Sequence, residues 1–150
     1  MLPAAERLQC HTFESRPVLL EQRVERGGRH SVRRVLANGE VWFCSSFERR
    51  LGDRASPVGA EWSCWRHEST LPRDELVALQ DAIAASGFFD CAPEYRRRRP
   101  ASYGIDEIWS AHLGVREHTV AVRARPITDV PAVSSVADAL LDALADAAHG

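Results

Sequence analysis

The sequence predicts an α+β domain: one antiparallel β-sheet of about six strands with two α-helices packed on one face. Three observations carry that prediction. Short segments alternate bulky and polar residues and are joined by Gly-Gly, Asn-Gly and lone-Gly turns, which send the chain back antiparallel. Two other segments repeat apolar residues at helical spacing. The order is about four strands, a helix, two strands and a helix, without the regular crossovers that parallel strands require.

Residues 1–16 show no period and are expected to form a loosely ordered N-terminal arm. The remainder, 17–150, reads as a single domain, which suits a chain of 150 residues. Residues 18–25, VLLEQRVE, predict a strand closed by Gly27-Gly28. Residues 30–37, HSVRRVLA, predict a second strand that ends at Asn38-Gly39, a dipeptide suited to the positive φ of a tight hairpin. Residues 40–48, EVWFCSSFE, place Val41, Phe43 and Phe47 on one face and Trp42 and Cys44 on the other. Bulk on both faces predicts a central strand. Residues 50–60 hold Gly, Asp, Ser and Pro and predict a loop. Residues 61–68, EWSCWRHE, predict one further strand, with Trp62 and Cys64 on one side and Trp65 and His67 on the other.

The first helix is predicted over 72–86. Asp74 and Glu75 lie in its first turn, where the helix dipole favours acids. Leu76, Leu79 and Ile83 form its buried stripe with Val77 flanking, and Gly87 stops it. Phe88 and Phe89 then plug into the core. Residues 91–104 read as a long loop. Residues 105–113 and 117–124 alternate on either side of Gly114 and predict a hairpin. Val133, Val136, Ala137, Leu140, Leu141, Leu144 and Ala148 follow the i, i+3, i+4 pattern of a second helix.

Composition excludes some function classes. Hydrophobic residues make up 45% and charged residues 27% of the chain, the balance of an ordinary globular protein that buries roughly 70% of its unfolded surface. The net charge of −2 gives no overall attraction to phosphate or anionic lipid. All 19 basic residues are arginine, which matches the codon usage of a GC-rich bacterial genome and weakens any argument from arginine geometry alone. No apolar run approaches 18 residues, so no membrane span is expected. The start, MLPAAERLQCHTFESR, is charged by its sixth residue and has no apolar core, unlike a secretory signal. A cytoplasmic location is therefore expected, with Cys10, Cys44, Cys64 and Cys91 as reduced thiols. Export by another route would open three disulfide connectivities.

No catalytic or metal signature stands out, and neither a cofactor nor a small-molecule substrate is expected. Cys64 and His67 have a Cys-x-x-His spacing, but positions three apart on a strand point to opposite faces. Gly27-Gly28-Arg29 lacks the strand-to-helix context of a phosphate cradle. Asp106 and Glu107 fall on opposite faces of one strand, and neither a Gly-x-Ser-x-Gly elbow nor a glycine-framed cysteine is present. His112 and His118 lie on paired strands near Asp106, so a nucleophile–histidine–acid set can be drawn only on paper.

The stretch YRRRRPASYG stands out in an acidic chain. Tyr95, Arg96, Arg97, Arg98, Arg99 and Tyr103 combine cations with aromatic rings, the ingredients of a single-strand nucleic-acid site. Such a site gains from many cations on one face, and the acidic helices offer no second basic element, which argues against nucleic acid. Arginine and tyrosine are also enriched at protein interfaces, so these six residues are the candidate contacts for a protein partner.

The segment LPRDELVALQDAIAASGFFD, residues 71–90, resembles the helix-plus-Phe-Phe signature of the emfourin family of bacterial proteins. The loop 91–104, Tyr103, the hairpin 105–124 and the helix from Val133 follow in the same order, and Gly27-Gly28 with its hairpin also fits. The likeness is clearest over 71–148. The chain departs from the pattern in its N-terminal arm, in Trp42, Trp62 and Trp65, in Pro72 where a serine cap is usual, and in the four arginines. The resemblance implies a small proteinaceous inhibitor of thermolysin-type metallopeptidases, which binds a peptidase surface and does no chemistry. The sequence thus leads to the expectation of a non-enzymatic protein-binding domain. Its partner would be a metallopeptidase or, alternatively, the other subunits of a larger complex.

Overall fold

The computed structural model describes residues 17–48, 60–62, 65–96, 105–125 and 129–149. The arm 1–16, the loop 49–59, Cys64 and the greater part of the arginine-rich stretch lie outside them.

The chain is α+β. Among the described residues, eight strand segments form one sheet: β1 (Val18–Arg26), β2 (Arg29–Leu36), β3 (Glu40–Glu48), β4 (Ala60–Trp62), β5 (Arg66–Thr70), β6 (Glu94–Tyr95), β7 (Ile105–Leu113) and β8 (Arg116–Arg125). The helices are α1 (Arg73–Ala85) and α2 (Pro131–His149). The sheet order is β4-β3-β2-β1-β7-β8-β6, with β5 pairing the other end of β3. β4 and β5 thus share one position, so the segments occupy seven positions where about six strands were expected. All pairings are antiparallel except β6 on β8, which is parallel.

The turns account for the three hairpins. Arg26 pairs Arg29 across Gly27-Gly28, and Leu113 pairs Arg116 across Gly114-Val115. Gly39 has φ 96° and donates its N–H to the Leu36 carbonyl at 2.9 Å. A side chain there would also collide with a neighbour, since a Cβ would sit 2.8 Å from the Leu71 carbonyl oxygen. Positive φ and close backbone approach both require glycine at this position.

The strand layout departs from expectation in two places. The strand anticipated at 61–68 is broken into β4 and β5. Both pair with β3, β4 through Ser46–Glu48 and β5 through Glu40–Phe43, and the register slips by one residue between the two ladders. The loop anticipated at 91–104 contains β6, a pairing of two residues started by the Ala121 N–H donating to the Pro93 carbonyl at 2.9 Å. Two residues leave no alternation to read.

Cross-strand registers put residues in rows. On the face beneath the helices, one row runs His118, Ala111, Leu20, Val35, Val41 and Ser69. It is the core row: Leu20, Val35, Val41 and Ala111 are buried, as are Leu79 and Ile83 of α1 and Val133, Val136 and Leu140 of α2. Trp109 and Phe88 are fully enclosed, and burying each aromatic side chain contributes roughly 2–3 kcal/mol. α1 ends as expected: Gly87 has φ 83°, and the Ser86 hydroxyl donates to the Ile83 carbonyl and accepts the Phe88 N–H. Leu141 and Ala148 were expected on the buried stripe of α2 but are exposed. The stripe actually buried steps through Val133, Val136, Leu140 and Ala143, with Ala137, Leu144 and Ala147 half-buried against the core.

The opposite face carries a smaller cluster, Leu36 and Trp42 with Val18 and Trp65 against them. Much of the rest of that face is polar and half-exposed, as one face of an antiparallel sheet commonly is.

Candidate functional site

The second row beneath the helices changes character along its length. It runs Val120, Trp109, Gln22, Arg33, Phe43 and Arg66. Val120 and Trp109 are buried, Arg33 and Phe43 are half-buried, and Arg66 is exposed. The helices therefore cover this row over β7 and β8 and leave it open over β2, β3 and β5.

A continuous polar network links its two halves. The Glu107 carboxylate accepts the Trp109 indole N–H at 3.0 Å, the Gln22 amide at 3.4 Å and the Arg125 guanidinium at 3.4 Å. Arg125 also donates to the Ser134 hydroxyl at 3.0 Å, which donates to Asp129 at 2.9 Å. Towards the margin, Gln22 accepts a long contact from Arg33 at 3.5 Å. Arg33 is held by Glu68 in a two-pronged pair, Nε–Oε2 at 2.8 Å and Nη2–Oε1 at 3.0 Å. This fork-to-fork geometry fixes the plane of the guanidinium.

Glu68 reaches Arg33 because of an irregularity in the ladder. Val41 pairs Ser69 and Trp42 pairs His67, which leaves Glu68 as the extra residue of a β-bulge. Phe43 lies between two cations: the guanidinium carbons of Arg33 and Arg66 are each 5.6 Å from its ring centroid. Arg33, Phe43, Arg66, His67 and Glu68 line an open concavity of about 360 Å³. His67 places one ring nitrogen 3.0 Å from the Thr70 hydroxyl and meets Trp42 edge-on at 5.3 Å. Arg33 is neutralised by Glu68, whereas Arg66 has no carboxylate within ion-pair distance among the described residues. What the concavity offers is an unneutralised guanidinium, a half-open aromatic face and the edge of β5. Those are means of binding.

The residues singled out in the sequence lie at the other edge of the sheet. Tyr95 sits in β6, half-buried against the core, and its hydroxyl accepts the Ala92 N–H at 2.9 Å. Arg96 is exposed and pairs with Glu94, which also lies 3.6 Å from Arg123. Arg97, Arg98, Arg99 and Tyr103 lie outside the described residues. Tyr95 thus closes a turn, and Arg96 is partly neutralised by its neighbour.

The paper triad does not assemble. Ala111 pairs His118 and His112 pairs Glu117, so the two imidazoles point to opposite faces. A ring nitrogen of His118 is 2.7 Å from the Cys91 carbonyl, and its ring meets Phe88. A ring nitrogen of His112 is 3.0 Å from the Gly114 carbonyl. Among the described residues no three His, Cys, Asp or Glu side chains gather as metal ligands, and Cys91 is a free thiol. Cys10 and Cys64 lie outside them.

Sequence reading missed Arg33, Phe43, Arg66 and Glu68. One signal was available: Arg33 shares its face with Val35, so it is a charge on the core side of a strand. Its hairpin neighbour Phe43 follows from the Asn-Gly turn, but its partners on β5 were not readable, because their register is a long-range property.

No family model, curated protein or solved structure matches this chain. No helix among the described residues is long and apolar enough to cross a membrane.

Proposed function

We propose that this chain is a protein-binding domain that docks its partner along the margin formed by β3 and β5. One observation carries the reading. Arg66, which has no carboxylate within ion-pair distance among the described residues, stands beside the half-open ring of Phe43 on a paired strand of the same sheet. Arginine and aromatic side chains are the residue types that concentrate interface energy, and a preformed surface avoids the cost of ordering on binding. The emfourin resemblance makes a thermolysin-type metallopeptidase the first partner to try, with inhibition as the function. Arg96 and the arginines after it offer a second contact at the opposite edge of the sheet.

The test compares the wild-type chain with Arg66→Glu as immobilised bait in a lysate of the source cells. A partner held by the wild type and lost with the variant is the expected result. Retention of the same partners by both would refute docking at this margin. Titration into a thermolysin-type peptidase assay then separates inhibition from simple binding: stoichiometric loss of peptidase activity supports the inhibitor reading, and unchanged activity removes it.

A further inference from the structure

We infer that the β5 margin receives its partner as an added strand: an acidic, extended peptide segment that pairs with the free edge of β5 and sets a carboxylate against Arg66. The inference rests on the docking reading above and specifies how it works. β5 pairs with β3 on one side, and among the described residues no strand pairs its other side. Arg66, His67, Glu68 and Thr70 along it are exposed. A sheet edge presents unsatisfied N–H and C=O groups, and an extended peptide can complete them. Five residues of β5 give a ladder of about 17 Å at roughly 3.4 Å per residue.

The charges on the edge select the occupant. Edge strands are commonly guarded by charged side chains, and Arg66 and Glu68 fit that description. The guard is uneven, however. Glu68 is consumed by its two-pronged pair with Arg33, so the charge left to greet an incoming strand is the guanidinium of Arg66. A basic strand meets repulsion there, and an acidic strand gains a charge-assisted hydrogen bond. Side chains of an added strand alternate, so every second residue faces the concavity of about 360 Å³ beside Arg66 and Phe43. A Glu or Asp at that position reaches the guanidinium while its methylene carbons cover the ring.

The experiment titrates the full chain with end-blocked ten-residue peptides and follows backbone amide resonances by NMR. The probes are an alternating Thr-Glu peptide, its Thr-Arg counterpart, and two Thr-Glu peptides N-methylated on odd or on even residues. The Thr-Glu peptide is expected to shift the amides of residues 66–70. The Thr-Arg peptide should bind at least about tenfold more weakly, and so should one of the two N-methylated peptides. Arg66→Ser, an exposed change that leaves the fold intact, should weaken the Thr-Glu peptide about fivefold to tenfold. Unmoved amides at 66–70, equal affinity for the basic peptide, or equal affinity of all methylated peptides would each overturn strand addition. So would a concentration-dependent dimer that uses β5. If Arg66→Glu still loses the native partner while these peptides fail, docking at the margin stands and the added strand is wrong. If the partner is retained, the docking reading itself falls.

Discussion

Removing the Glu107 carboxylate tests how the open and covered halves of the sheet are tied together. Its side chain is 14% exposed and that of Arg125 16%, so both charges are largely withdrawn from water. Glu107→Ala deletes the acceptor of the Trp109 indole N–H at 3.0 Å and the counter-charge of Arg125 at 3.4 Å. An orphaned buried N–H costs about 1–3 kcal/mol. Breaking a fully buried ion pair costs about 3–5 kcal/mol, but the 3.4 Å contact and residual solvent access place this pair nearer 1–2 kcal/mol. Together the loss should be about 3 kcal/mol. For a chain of 150 residues that corresponds to a fall in Tm of roughly 6–12 °C. Glu107→Gln keeps an acceptor for the indole and should cost about half as much. Urea denaturation of Glu107→Ala, Arg125→Ala and the double variant measures the coupling directly, expected at about 1–2 kcal/mol. If Glu107→Ala unfolds within about 0.5 kcal/mol of the wild type, the network is decoration, and the argument that it braces the sheet is wrong.

Other outcomes follow from single sites. Gly39→Ala should destabilise by more than about 1 kcal/mol, measured by urea denaturation, because it adds strain at φ 96° to a contact of 2.8 Å with the Leu71 carbonyl. Glu75 has its pKa raised, through desolvation against α2 and the carboxylates of Asp146, Asp74 and Asp142. A raised carboxyl pKa means the folded state holds the proton more tightly than the unfolded chain. Stability should therefore be lowered above the folded pKa and recovered as pH falls through it toward the ordinary value. Glu75→Gln should be more stable than the wild type at neutral pH, and the gap should close in acid; thermal melts across that range check the sign. Arg96→Ser should change stability by less than about 0.5 kcal/mol, since its pair with Glu94 is exposed. A large fall in Tm would show that Arg96 is structural and leave no case for it as a contact.

The hairpins, both helices and the alternation of each strand were legible in the sequence. These are local properties. A two-residue period, a 3.6-residue period and a glycine at a positive φ each leave their mark within a few residues. Leu79, Ile83 and Val133 were placed inward from such marks, and the structure buries them. The row of Arg33, Phe43 and Arg66 was not legible. It depends on β5 returning to pair β3, which brings Glu68 to Arg33 across 35 positions of chain, and on the bulge that turns Glu68 that way. A pattern along one strand specifies which face a side chain takes. It does not specify which strand lies alongside or in what register, because those are settled by the summed packing of the whole sheet. The arginine run drew notice because it is contiguous, whereas the cations beside Phe43 stand 33 positions apart and meet only when β2, β3 and β5 are laid side by side.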